Sequence, residues 1–194
     1  DIAYDKGYKV IFCSNENDNE KSNELITLFN FRQVDGFIIV PSPGIKDTIE
    51  NLIKDNIPVI LLDRFFEGLD CNSVVIDNEQ ASFDATLHLI QNKYKKVGFI
   101  TTASDQTQML GRLSGYHKAV SENNLKSITL QIPYSEVNKG KSKEYIKEFL
   151  DQNPDLDAVF FATNYLAQSG LEVFKEKNPK LINEIGIIAF DDND

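Results

Sequence analysis

The chain has 194 residues, 41% hydrophobic and 26% charged, enough for one large domain or two small lobes with real cores. A formal net charge of −10 repels phosphate backbones and anionic lipid, which argues against this stretch itself contacting nucleic acid or a membrane surface. No apolar run approaches the roughly 18 residues of a bilayer span, and the two cysteines, Cys13 and Cys71, have neither disulfide-framework nor metal-ligand spacing.

Taken in order, residues 1–7 read as the tail of a helix, and Tyr8 to Cys13 as a strand in which Cys13 is a buried free thiol. After the polar cluster from Ser14 to Asn19, Leu25, Leu28 and Phe29 share one helical face. The run VDGFIIV, Val34 to Val40, is nearly all apolar and predicts a strand covered on both faces. Ile45, Ile49, Leu52 and Ile53 mark a helix that stops before Pro58, and Pro58 to Leu62 is a second buried strand closing in Asp63-Arg64.

Val74, Val75 and Ile76 form a short strand that ends at Asp77-Asn78, with Asn78 as the expected N-cap of the next helix. In that helix Phe83, Leu87 and Ile90 are the expected buried stripe. The strand Val97 to Ile100 follows, then a polar loop, then a helix marked by Met109, Leu113, Tyr116 and Val120. A strand over Ser127 to Tyr134, a helix with Tyr145, Ile146, Phe149 and Leu150, and the strand Ala158 to Ala162 come next. Leu166, Val173 and Phe174 mark another helix, and Ile185 to Phe190 is the final strand. Alternating strands and helices with short connections predict an α/β fold with parallel sheets flanked by helices. The run is too long for one compact sheet, so two lobes are expected, 1–78 and 79–194.

In open parallel sheets, ligands bind at the carboxyl ends of the strands. That rule selects Ser14-Asn15, Ser42, Asp63-Arg64, Asp77-Asn78, Thr101-Thr102 with Ser104-Asp105, Tyr134, Thr163-Asn164 and Asp191-Asp192, together with Arg112 in the first turns of its helix. Hydroxyls, amides, carboxylates, a guanidinium and an aromatic ring suit a polar or polyhydroxylated ligand. Any one of them serves equally well as a helix cap or loop former. The chain has three arginines among 20 basic residues, and Arg64 and Arg112 are two of them. A rigid guanidinium fork is used where bidentate recognition is needed, though each could instead form a structural ion pair with a neighbouring carboxylate.

Catalytic patterns are weak. His88 and His117 share no ligand spacing, and no phosphate-cradling glycine loop or G-x-S-x-G elbow occurs. The terminal Asp-Asp-Asn-Asp lacks the glycine and glutamate of a calcium loop. Gly111 and Gly115 flank Arg112 and are expected to permit close helix packing. No metal, no cofactor and no enzymatic activity are expected.

The blocks VDGFIIVPS, IPVILLDR, SVVIDNEQASFDATLHLI, KKVGFIT, RLSGYHKAV, DAVFFATN and IGIIAFDD, in this order, resemble the effector-binding core of LacI/GalR-type transcriptional regulators. The resemblance implies the periplasmic-binding-protein type I fold, two Rossmann-like lobes with a small molecule between them that shifts their arrangement. It implies ligand contacts from Asp63, Arg112, Asn164 and Asp191, an aromatic contact from Tyr134, and a hinge at Asp77-Asn78. Arg64 and Ser14 are added from their strand-end positions. It further implies a cytoplasmic homodimer that reaches operator DNA through an N-terminal helix-turn-helix outside this stretch, with a sugar favoured over a purine as effector. A sugar-binding protein of a transport system is the alternative on the same fold. The departures are Tyr165, where many members carry an acid, and the absence of the first strand and of the segments that return to the first lobe. The chain is therefore expected to be part of a longer protein.

Overall fold

The computed structural model describes residues 2–191, and it divides into two compact units, Asp1–Val75 and Ile76–Asp194. The calcium-loop-like end, Asp192 to Asp194, lies outside the described residues.

The first unit contains helices α1 (Ile2–Asp5), α2 (Asn19–Phe31) and α3 (Lys46–Lys54) and strands β1 (Phe37–Ile39), β2 (Val59–Leu62) and β3 (Asn72–Val74). The strands form a parallel sheet in the order β1-β2-β3. Asp18 starts α2 by accepting a hydrogen bond from the Lys21 N–H at 2.8 Å. Ile26 of α2 and Ile45, Ile49 and Leu52 around α3 bury Ile39, Val59 and Leu61 of the sheet. Both helices thus contribute to one cluster, and the sheet is not covered on both faces as its apolar runs predict. Ile38 is 74% exposed, and Ile60 and Leu62 alternate outward with it. The face of α2 that turns inward carries Ser22 and Ile26, whereas Leu28 is exposed.

Two expectations for the start of the chain fail together. Tyr8 to Cys13 forms no strand, and Cys13 is exposed. An apolar run becomes a strand when a neighbour takes up its backbone N–H and C=O groups. Among the described residues no strand pairs with this one.

The second unit contains α4 (Asn78–Gln91), β4 (Val97–Ala103), α5 (Thr107–Glu122), β5 (Ile128–Pro133), α6 (Tyr134–Asn138), α7 (Ser142–Gln152), β6 (Ala158–Phe161), α8 (Asn164–Lys177), α9 (Leu181–Glu184) and β7 (Gly186–Ala189). Its sheet is parallel throughout, in the order β5-β4-β6-β7. Here the continuous apolar strands are covered on both faces. Phe99, Ala158, Phe160 and Ala162 join Leu89, Tyr116 and Val120 of α4 and α5 on one face. Ile100, Val159 and Phe161 join Ile146, Phe149, Leu150, Leu166, Val173 and Phe174 of α7 and α8 on the other. Each such side chain contributes roughly 1.5–3 kcal/mol when fully buried. Tyr134, expected inside the strand, instead opens α6.

The α4–α5 contact corrects two further readings. Asp77, not Asn78, is the N-cap, accepting from the Gln80 N–H at 3.0 Å. The buried residues of α4 are Asn78, Ser82, Thr86 and Leu89, while Phe83, Leu87 and Ile90 are half-buried. The reason is Gly115. A Cβ there would stand 2.1 Å from the Glu79 carbonyl oxygen and 2.8 Å from the Phe83 nitrogen, so the helices approach too closely for a large-residue stripe. Small Ser82 fits, and its hydroxyl donates to the Arg112 carbonyl at 2.5 Å.

Candidate functional site

Strand order marks a switch point in the second unit. From β4 the chain crosses by α5 to β5 on one flank, and from β6 it crosses by α8 to β7 on the other. The carboxyl ends of the adjacent strands β4 and β6 are therefore a topological switch point, where open parallel sheets hold ligands.

Arg112 of α5 is buried there, 4% exposed. Its Nε donates to Asn78 Oδ1 at 2.9 Å and its Nη1 donates to the Ala162 carbonyl at 2.6 Å, just past the end of β6. Asp191, following β7, lies 3.6 Å from Nη1, and the guanidinium carbon sits 3.8 Å from the centre of the Phe190 ring. A guanidinium so enclosed is held in one orientation by an amide, a carbonyl, a carboxylate and an aromatic face. The Asp191 side chain remains 51% exposed and can still accept hydrogen bonds. Asn164, the first residue of α8, follows Thr163, whose side chain is buried at the same strand end.

A second polar cluster forms within the first unit. Arg64 donates from Nε to Asp63 Oδ2 at 3.2 Å and from Nη1 to Asn17 Oδ1 at 3.0 Å. Asn15 ties the same loop to the Val40 carbonyl at 3.1 Å. Asp63 and Asp191, the aspartates that follow β2 and β7, both have left-handed backbones, with φ of 70° and 67°, as does Asn17 at 57°. Such non-glycine conformations are uncommon and collect at functional turns.

Of the residues selected from sequence, the structure brings Arg112, Asn78 and Asp191 into one cluster with Asn164 beside it, and Asp63 and Arg64 into another. Asp77 is a helix cap. Ser14 is exposed ahead of α2, and Tyr134 is partly exposed on α6; neither joins these clusters among the described contacts. The ion-pair alternative for both arginines holds, with Asp63 and with Asp191. Sequence reasoning missed Asn17, Phe190 and Gln108, while Thr163 stood among the strand-end hydroxyls it selected. Gln108 was open to discovery, since it lies four residues before Arg112 on one helix face. Phe190 and Asn17 meet their arginines only through the fold.

Two parallel α/β units, one with polar side chains gathered at a switch point, make the kind of sheet whose strand ends hold ligands. The family described as periplasmic binding proteins and sugar binding domain of LacI family matches residues 2–191, and the chain belongs to it. It is 30% identical over 196 residues to the HTH-type transcriptional regulator RegA of Clostridium saccharobutylicum, covering 100% of this chain and 58% of that protein. It is 26% identical to catabolite control protein A of Priestia megaterium, over 98% of this chain and 58% of that protein. Among solved structures, a LacI family transcriptional regulator from Enterococcus faecium with bound ribose is 25% identical with a TM-score of 0.78, over 98% of this chain and 69% of that one. The chain spans about 58% of the length of the curated relatives it matches.

Proposed function

We propose that the chain is the effector-sensing part of a transcription regulator and that it binds a small polar effector, a sugar, through Arg112, Asp191 and Asn164. The observation that carries this reading is the enclosed Arg112 guanidinium beside a half-exposed carboxylate at the switch point. An aspartate accepts from two neighbouring hydroxyls and an arginine donates to two, which is the pairing a polyol offers. Asp63, Arg64, Tyr134 and Ser14 are further effector contacts on this reading, and Asp77-Asn78 is a hinge. The ribose bound by the Enterococcus faecium relative is the observation that supports a sugar.

The parent protein, on this reading, is a cytoplasmic homodimer that binds operator DNA through a helix-turn-helix outside this stretch. Effector binding shifts the population of operator-competent conformations by its differential affinity for them. A transport role has less support, because the curated relatives above are named as regulators. The test is a thermal-shift screen of sugars and purine bases against the full-length protein, repeated with Arg112→Ala. A sugar that raises the wild-type melting temperature and leaves the variant unmoved supports the reading. An equal shift in both overturns it.

A further inference from the structure

Asp63 sits on a strained turn at the end of β2. The Arg64 N–H donates to the Leu62 carbonyl at 2.8 Å, two residues back, and Asp63 between them has a φ of 70°. That is the γ-turn of positive φ, a rare and strained form, here at a residue other than glycine. A relay of side chains holds it. Arg64 donates from Nε to Asp63 Oδ2 and from Nη1 to Asn17 Oδ1. The Asn17 N–H donates to Asn15 Oδ1 at 3.1 Å, and Asn15 donates to the carbonyl of Val40, just past β1. The relay thus runs along the carboxyl ends of β1 and β2, the edge where parallel sheets hold ligands. All four of its side chains are half-buried, and that of Asp63 is 42% exposed. An ion pair with one partner so open to water adds little stability, and a strained turn subtracts from it. Folding alone does not account for the arrangement.

We propose that Asn17 is a positioning residue for effector binding: it fixes the Arg64 guanidinium, which in turn fixes the Asp63 carboxylate on its strained turn. This rests on the reading that Asp63 contacts the effector, and adds to it a residue that acts through others. The guanidinium is a planar fork, so an acceptor that holds Nη1 also sets the direction of Nε. Arg64 meets the carboxylate at Oδ2, and the exposed remainder can still accept from a ligand hydroxyl. A carboxylate ordered before binding loses less freedom when a ligand arrives, which is how the relay raises affinity. Asn17 suits this place because its own backbone is left-handed, φ 57°, a conformation that asparagine and glycine tolerate better than other residues.

The experiment uses the full-length protein and the compound with the largest effect in the thermal-shift screen of sugars and purine bases. That compound is titrated calorimetrically into wild type, Asn17→Gly, Asn17→Asp, Asp63→Gly and the double variant carrying Asn17→Gly and Asp63→Gly. Glycine at position 17 removes the acceptor and keeps the left-handed backbone, whereas aspartate keeps both. Asn17→Gly should bind about five- to tenfold more weakly, and Asn17→Asp within about twofold of wild type. Asp63→Gly should bind more than about tenfold more weakly. Its unliganded melting temperature should be unchanged or higher, because glycine adopts the turn without strain. The double variant should bind no more weakly than Asp63→Gly, because Asn17 acts only through that carboxylate. Equal losses in Asn17→Gly and Asn17→Asp, losses that multiply in the double variant, or a lower unliganded melting temperature in Asp63→Gly overturns the proposal. If Asp63→Gly loses binding while Asn17→Gly binds as wild type does, the positioning inference fails and the reading of Asp63 stands. If Asp63→Gly binds as wild type does, or no compound shifts the wild type, that reading fails too.

Discussion

Removing the Arg112 guanidinium should destabilise the second unit even without a ligand. Arg112→Ala strips the donor from two buried acceptors, Asn78 Oδ1 and the Ala162 carbonyl. A hydrogen bond from a charged donor contributes about 1.5–3 kcal/mol. The contact to Asp191 adds little, below about 1 kcal/mol, because that carboxylate is half-exposed and the pair is 3.6 Å apart. Each of these figures is already net of desolvation, so the two acceptors left dry give a loss of about 3–6 kcal/mol. Urea unfolding of the full-length protein, followed by circular dichroism, measures it as a lower midpoint at unchanged slope. Arg112→Lys keeps the charge but not the fork, and should fall between the two. A midpoint for Arg112→Ala equivalent to within about 0.5 kcal/mol of wild type would refute the account, since it would mean that the guanidinium does not join α5 to β6.

Three further outcomes follow from particular contacts. Gly115→Ala should cost about 3 kcal/mol, because the added Cβ meets the Glu79 carbonyl at 2.1 Å, which is backbone and cannot rotate away; a wild-type melting temperature would show that α4 and α5 are not so close. Tyr116→Phe should cost about 1–3 kcal/mol, since the buried hydroxyl accepts from the Ile128 N–H at 2.8 Å and lies 2.9 Å from the Val97 carbonyl, stapling β4 to β5 from α5. Burial also holds the Tyr116 hydroxyl above the ordinary tyrosine range, so it stays protonated as a donor at neutral pH. The thiols should differ as well: exposed Cys13 reacts quickly with a disulfide reagent, while Cys71, whose pKa is raised chiefly by burial, reacts slowly and speeds up with rising pH. Equal rates at neutral pH would contradict that difference.

Much of the site was visible before the fold. Arg112 stood out because arginine is scarce and because it follows a strand by one helical turn or two. Asp191 and Asp63 stood out as carboxylates after apolar strands. What could not be read was the identity of their partners. Asn78 was taken for a cap, yet its side chain faces Arg112, 34 residues on, because Gly115 lets α4 approach α5. Thr163 was selected as a strand-end hydroxyl and Gln108 looked like an ordinary polar residue, but that both carry a buried oxygen without a partner is seen only in the folded chain.

The same division runs through the whole chain. Alternation of short apolar strands with amphipathic helices determined the parallel α/β class, and the ordered blocks determined the family, because periodicity and strand-end chemistry are local properties. Continuous apolar runs foretold full coverage correctly for β4 and β6, which have helices packed on both faces. For Phe37–Ile39 and Val59–Leu62 the same signal met helices on one face, and for Tyr8 to Cys13 it met no neighbouring strand among the described residues. An apolar run states what surface must be buried. Which element buries it, and how closely, is decided by tertiary packing, where one glycine sets the spacing of two helices and thereby the grip on Arg112.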